Sequence, residues 1–167
     1  MNKKVNINEY YFLMSFRFDK SKPEDFGLHQ SPVNPEIFID KKDKTSWIKR
    51  ELYNFGWGNE NGFVRLPELD FRELIYLIEY SNIRDNRYGA AVEIRRNFSD
   101  DLLKYLMEIL GDSECAISKG MKEVFEILEL EHPINRSSII GKSPQEVNDD
   151  YEKWKFISNR VMKIISR

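Results

Sequence analysis

From Leu69 onward, apolar residues recur at intervals of three and four, the mark of helices that bury one face and leave the other polar. Phe71, Leu74, Ile75 and Ile78 form the first such face. Asp70 precedes it and Glu73 follows three residues on, which predicts a capped helix start. Asn82 to Asn86 is a polar break, and Arg87 to Arg96 resumes as a helix with Tyr88, Ala91, Val92 and Ile94 turned inward. Ser99 is placed to cap the next helix, with Asp100 and Asp101 near its positive end. Leu102, Leu103, Leu106, Ile109 and Leu110 are its core, and Gly111 is its stop. Ser113 opens a further helix carrying Ile117, Met121, Val124, Phe125 and Leu128, closed by Pro133. The last start is the clearest: Ser143-Pro144-Gln145-Glu146 joins an N-cap serine, a proline at the first helical position and a glutamate at the third. Val147, Tyr151, Trp154, Val161 and Ile165 form the stripe behind it, with Trp154 as the anchor to the rest.

The N-terminal part has a different texture. Tyr10 to Phe18 is dense in aromatics and predicts a strand, and Glu36 to Asp40 is a second strand after the turn-forming Ser31-Pro32 and Asn34-Pro35 pairs. Trp47, Ile48, Leu52 and Phe55 fall at helical spacing, so Thr45 to Phe55 reads as a helix. Gly56, Gly58 and Gly62, interleaved with Asn59 and Asn61, read as the loop that ends it. The expected fold is therefore mostly α: helical hairpins or a bundle, with a small N-terminal extended or β element. One domain is expected over residues 1–167, with an aromatic-rich mixed part at 1–67 and a helical part at 68–167.

Expected helix starts near Asp70 and Ser99 lie 29 positions apart, and those near Asp85 and Ser113 lie 28 apart. Two helices per unit of this length fit stacked hairpins. Within one unit, Asp85, Arg87, the Ala90-Ala91 pair and Ile94 follow an acidic turn residue, an arginine, two small residues and an aliphatic. Over Leu69 to Leu130 this resembles a HEAT-like helical repeat. The resemblance implies a scaffold whose curved surface binds another macromolecule. The second unit has no matching arginine after Asp112.

Composition narrows the function classes. Hydrophobic residues make up 41% of the 167, enough to build a core, while charged residues at 32% nearly cancel to a net charge of -2. Generic binding to nucleic acid or an anionic membrane needs a basic excess that this balance lacks. Cys115 is the single cysteine, so no internal disulfide and no cysteine-built zinc site can form. Asn6, Asn8 and Glu9 interrupt the N-terminal segment, and no apolar run of roughly 20 residues occurs, so neither a signal peptide nor a membrane span is expected. The cytoplasm is the expected compartment.

The sequence carries no cofactor motif, no expected metal site and no catalytic set. Gly56, Gly58 and Gly62 lack the Gly-Lys-Ser/Thr ending of a phosphate loop. His29 and His132 sit beside expected loops, and Asp112 and Glu114 oppose activation of the Cys115 thiol. Glu73, Glu79 and Glu93 beside Arg84, Arg87, Arg95 and Arg96 are the residues from which an enzyme acting on a phosphate-bearing substrate would be built. That reading requires Glu73 or Glu93 to share a pocket with Arg87 or Arg95. The same four arginines, with Tyr88, are the candidate contacts for nucleic acid.

Two features point instead to a protein partner. Ser99 to Glu131 holds nine carboxylates against three lysines, and an acidic helical face steers a basic partner. Its candidate contacts are Glu108, Asp112, Glu123, Glu126 and Glu129. Trp57, among Tyr53, Phe55 and Phe63 in the glycine-rich stretch, is a candidate aromatic anchor. The expected function is macromolecule binding, in concrete form that of a bacterial immunity or antitoxin-like protein neutralising a basic toxin. An enzyme and a nucleic-acid-binding module are the alternatives.

Overall fold

The computed structural model describes residues 5–14, 22–54, 59–111 and 117–166, without the side chains at 53, 54 and 59–61. Five strands precede five helices. They are β1 (Phe12–Met14), β2 (Leu28–Gln30), β3 (Ile37–Asp40), β4 (Ser46–Asn54) and β5 (Asn59–Arg65), then α1 (Phe71–Tyr80), α2 (Arg84–Asn97), α3 (Ser99–Gly111), α4 (Lys119–Ile127) and α5 (Pro144–Ile165). A short 3-10 turn, Pro23–Phe26, leads into β2. The strands make one antiparallel sheet in the order β1-β5-β4-β3-β2.

This overturns the expectation of a mostly α, HEAT-like chain: the fold is mixed, a sheet with helices packed on it. The stretch read as a helix, Thr45 to Phe55, is strand β4 as far as Asn54. Alternation along β4 serves two faces. Ile48 and Leu52 pack into the helix-side core with Val64, whereas Trp47 and Phe63 belong to a second cluster with Leu28, Leu13, Phe26 and Phe38. With both faces covered, the period of two is blurred, and the apolar positions mimic a helical stripe. Gly62, read as loop, lies within β5. A Cβ there would come within 2.5 Å of the Leu13 carbonyl oxygen, so only glycine lets β1 and β5 close at this point. The strand expected at Tyr10 to Phe18 is present as β1, and the part beyond Met14 lies outside the described residues.

Two helices, α1 and α5, keep the starts that local chemistry dictates, whereas α2 begins at Arg84, inside the stretch read as a polar break, and without a side-chain cap. Asp70 accepts from the Glu73 amide and Glu73 from the Asp70 amide, each at 2.9 Å. Ser143 and Glu146 repeat this reciprocal arrangement at the head of α5. α3 begins at Ser99 itself, with the Leu102 amide bonded to the Phe98 carbonyl. α4 is capped by Ser118, which accepts from the Met121 amide at 3.1 Å; Ser113 lies outside the described residues. Trp154 is buried as expected, its indole N–H donating to Ser137 at 3.0 Å. Among the described residues no helix is long and apolar enough to cross a membrane.

The residues that resembled a helical repeat serve the sheet. Asp85 accepts from the Met14 amide at 2.9 Å, and buried Asn86 accepts from the Tyr11 and Phe12 amides at 2.8 and 3.3 Å. The first turn of α2 thus supplies partners to the outer edge of β1, which a neighbouring strand would otherwise have to provide. Ala90 and Ala91 are fully buried because this helix lies between the sheet and its helical neighbours.

Candidate functional site

The fold brings part of the acidic stretch and part of the arginine cluster together. α4 lies beside α2, and Arg87 Nη2 meets Glu123 Oε2 at 2.5 Å while its Nε donates to the Ile78 carbonyl at 2.9 Å. Eight residues along α2, Arg95 Nη1 meets Glu129 Oε2 at 2.7 Å. Both pairs span more than thirty residues of sequence. Arg136 reinforces the second from the other side, donating to the Leu128 and Glu129 carbonyls and lying 5.9 Å over the Trp154 ring. The remaining arginines are engaged too: Arg84 lies 5.4 Å over the Tyr88 ring, and Arg96 stands 4.0 Å from Glu51.

Of the acidic contacts expected from the sequence, Glu123 and Glu129 therefore serve as internal ion-pair partners. Glu108 and Glu126 are exposed, and no ion pair among the described residues involves either. Asp112 and Trp57 lie outside the described residues, as does Cys115.

The carboxylates considered for chemistry are dispersed. Glu73 closes the α1 cap. Glu79 accepts from Ser118 at 3.2 Å and so ties α1 to the head of α4. Glu93 is buried and faces the sheet, where Arg50 reaches it at 2.8 Å and also holds Glu68 through two bonds of 3.0 Å. Asn97 donates to the same Glu93 oxygen, and the other oxygen is buried without a hydrogen-bond partner. Arg87 is thus joined to α4 and Arg95 to the turn that follows it, while Glu93 is joined to β4 and Glu73 to the α1 cap, so among the described residues each of the four side chains is held at a different place. Among the described residues no group of three or more His, Cys, Asp or Glu is placed to hold a metal ion. His132 lies exposed 3.9 Å from Glu131, and His29 sits on β2.

No family model matches the chain, and no curated protein or solved structure matches it either. A functional reading thus rests on surface chemistry. Two exposed apolar features escaped the pattern of the sequence. Tyr76 and Tyr80 stand one turn apart on the outer side of α1, ring centroids 4.8 Å apart, opposite the buried Leu74, Leu77 and Ile78. Their i, i+4 spacing on the polar side of the stripe was the available signal. Ile139 and Ile140 are 66% and 89% exposed on the loop before α5, held by Lys142, which bridges Asp100 at 3.2 Å and Asp150 at 2.8 Å. Tyr76 and Tyr80 on a helix face, and Ile139 and Ile140 on a loop next to the Lys142 bridges, offer exposed apolar area of the kind a protein interface buries.

Proposed function

We propose that the protein binds another macromolecule and that its partner is a basic protein, neutralised in the manner of a bacterial immunity or antitoxin-like protein. The observation that carries this reading is the exposure of Glu108 on α3 and Glu126 on α4, neither held in an ion pair among the described residues, beside Glu123 and Glu129, which arginines of this chain already match. Carboxylates on a stiff scaffold attract a cationic surface without an ordering cost, and they raise the rate of encounter more than they lower the rate of escape. Arg87, Arg95 and Arg96 pair with carboxylates of this chain, so the arginine cluster offers little to a phosphate backbone.

Affinity capture from the cells that make the protein, followed by calorimetry with the captured species at low and high salt, tests the reading. A basic protein should be recovered, bound more weakly at high salt, and Glu108→Lys with Glu126→Lys should weaken it by about tenfold or more. An acidic partner, or an affinity indifferent to both salt and charge reversal, overturns it.

A further inference from the structure

The sheet face turned away from the helices carries a feature that the acidic helices do not share. Two adjoining hollows of about 390 and 500 Å³ have Tyr10, Leu13, Phe26, Asp40 and Lys42 in common and so form one cleft. Its floor is the second hydrophobic cluster: Leu13, Phe26 and the buried Trp47. Tyr10, half exposed, stands at its wall. Around the rim are Asp25 from the 3-10 turn, Asp40 and Asp43 from the β3–β4 turn, and Asp85 from the head of α2. Resting on the reading of a basic partner, we infer that this cleft is a docking surface for an arginine- or lysine-bearing segment of that protein.

Charge and shape agree on such an occupant. Each of the four aspartates gives one oxygen to backbone amides: Asp25 to Lys22, Asp40 to Lys42 and Asp43, Asp43 to Thr45, and Asp85 to Met14. They are fixed in direction by these amides, and no ion pair among the described residues involves them. Arg65, which also lines the cleft, is committed to Glu9 at 2.7 Å and to the Tyr11 ring. Among the described residues of the lining, Lys41 and Lys42, exposed on the β3–β4 turn, are then the cations outside any ion pair, set against four carboxylates. A guanidinium or ammonium placed there stacks its stem on aromatic carbon and meets carboxylate at its head. The acids are spread round a rim instead of converging, which suits the several cationic side chains of a peptide and not a single metal ion. Alternate residues of an extended segment lie about 6.5 to 7 Å apart, a spacing that lets two of them enter adjoining hollows.

The test is a titration of the isotope-labelled protein with an end-blocked hexa-arginine peptide at low salt, read by amide and indole chemical shifts, with hexa-glutamate as control. Saturable shifts are expected at Tyr10, Leu13, Phe26 and the Trp47 indole N–H. Asp25→Asn/Asp40→Asn/Asp43→Asn keeps every backbone acceptor and removes three charges; it should weaken the peptide at least tenfold with shifts elsewhere unchanged. Tyr10→Ala should weaken it separately. Shifts confined to the surroundings of Glu108 and Glu126 overturn the cleft while leaving a basic partner in place. Absence of saturable shifts, or affinity unmoved in both variants, overturns the cleft as well, and the captured partner then judges the wider reading alone.

Discussion

Gly89 of α2 lies directly against the side chain of Phe12 in β1: a Cβ on Gly89 would stand 2.5 Å from Phe12 Cδ1 and 2.6 Å from its Cβ. Phe12 is itself 1% exposed, so its ring has nowhere to retreat. Gly89→Ala should therefore overpack the junction of helix and sheet and cost about 1 to 3 kcal/mol, although alanine is the better helix former. Gly111→Ala, at a helical position with open space around it, should be neutral or slightly stabilising. Urea unfolding of both variants measures the contrast; equal midpoints would remove the close approach as the reason for glycine.

Asn86 joins the same two elements through polar contacts. Its oxygen accepts from Tyr11 and Phe12, and its nitrogen donates to the Glu9 carbonyl at 2.8 Å and to Ser81 at 3.2 Å. Ser81 in turn donates to the Ile7 carbonyl at 2.9 Å. Asn86→Ala leaves buried backbone groups without partners and should cost roughly 2 to 4 kcal/mol. Asn86→Asp retains the acceptor but loses the donor and buries a charge, so it should fare no better. Hydrogen exchange at Phe12 should accelerate in both variants before any change at Ile78 or Leu106.

What was legible in the sequence was chemistry that acts within one turn. The Asp70–Glu73 and Ser143–Glu146 caps form between residues three apart, and the chain specifies them unaided. The sheet was misread because a strand is defined by a neighbour that local pattern does not name. β4 needs Phe38 on one side and Val64 on the other, and its own residues divide between two cores. The partners of two candidate surface residues were illegible for the same reason. Nothing near Glu123 or Glu129 announces Arg87 and Arg95, so a local charge count leaves out the two cations that lie against α4 and the turn after it.

Asp150 predicts how stability responds to acid. Burial works to raise its carboxyl, but hydrogen bonds from Lys142 at 2.8 Å and Lys153 at 3.2 Å outweigh burial and hold it below the ordinary carboxylate range. In the unfolded chain the same group titrates near pH ~3.9. On acidification the unfolded state therefore takes up the proton first. The stabilisation is complete above that pH and disappears as pH falls through the lower native value. Asp150→Asn should cost on the order of 1 kcal/mol at neutral pH, with the gap to the unsubstituted protein closing below about pH 4. A gap of constant size across that range would show that the loss is one of packing.

The ion pairs also decide which charge reversals can report on binding. Glu123→Lys would set a second cation against Arg87, and Glu129→Lys would do the same to Arg95. Glu129 additionally occupies the left-handed region at φ 54°, where its amide bonds the Glu126 carbonyl and its own carbonyl accepts from Arg136. Each reversal should lower stability by about 0.5 to 2 kcal/mol, so lost binding in such variants would mix damage to the fold with damage to a surface. Glu126→Lys removes no ion pair of the described residues and should leave the unfolding midpoint within about 0.5 kcal/mol of the original. A double-mutant cycle of Arg87→Met with Glu123→Gln should return a coupling of about 0.5 to 1 kcal/mol, whereas Arg87→Met with Glu126→Gln should return none. If the second cycle couples as strongly as the first, Glu126 is engaged with α2 after all, and the exposed charge on which partner binding was argued is lost.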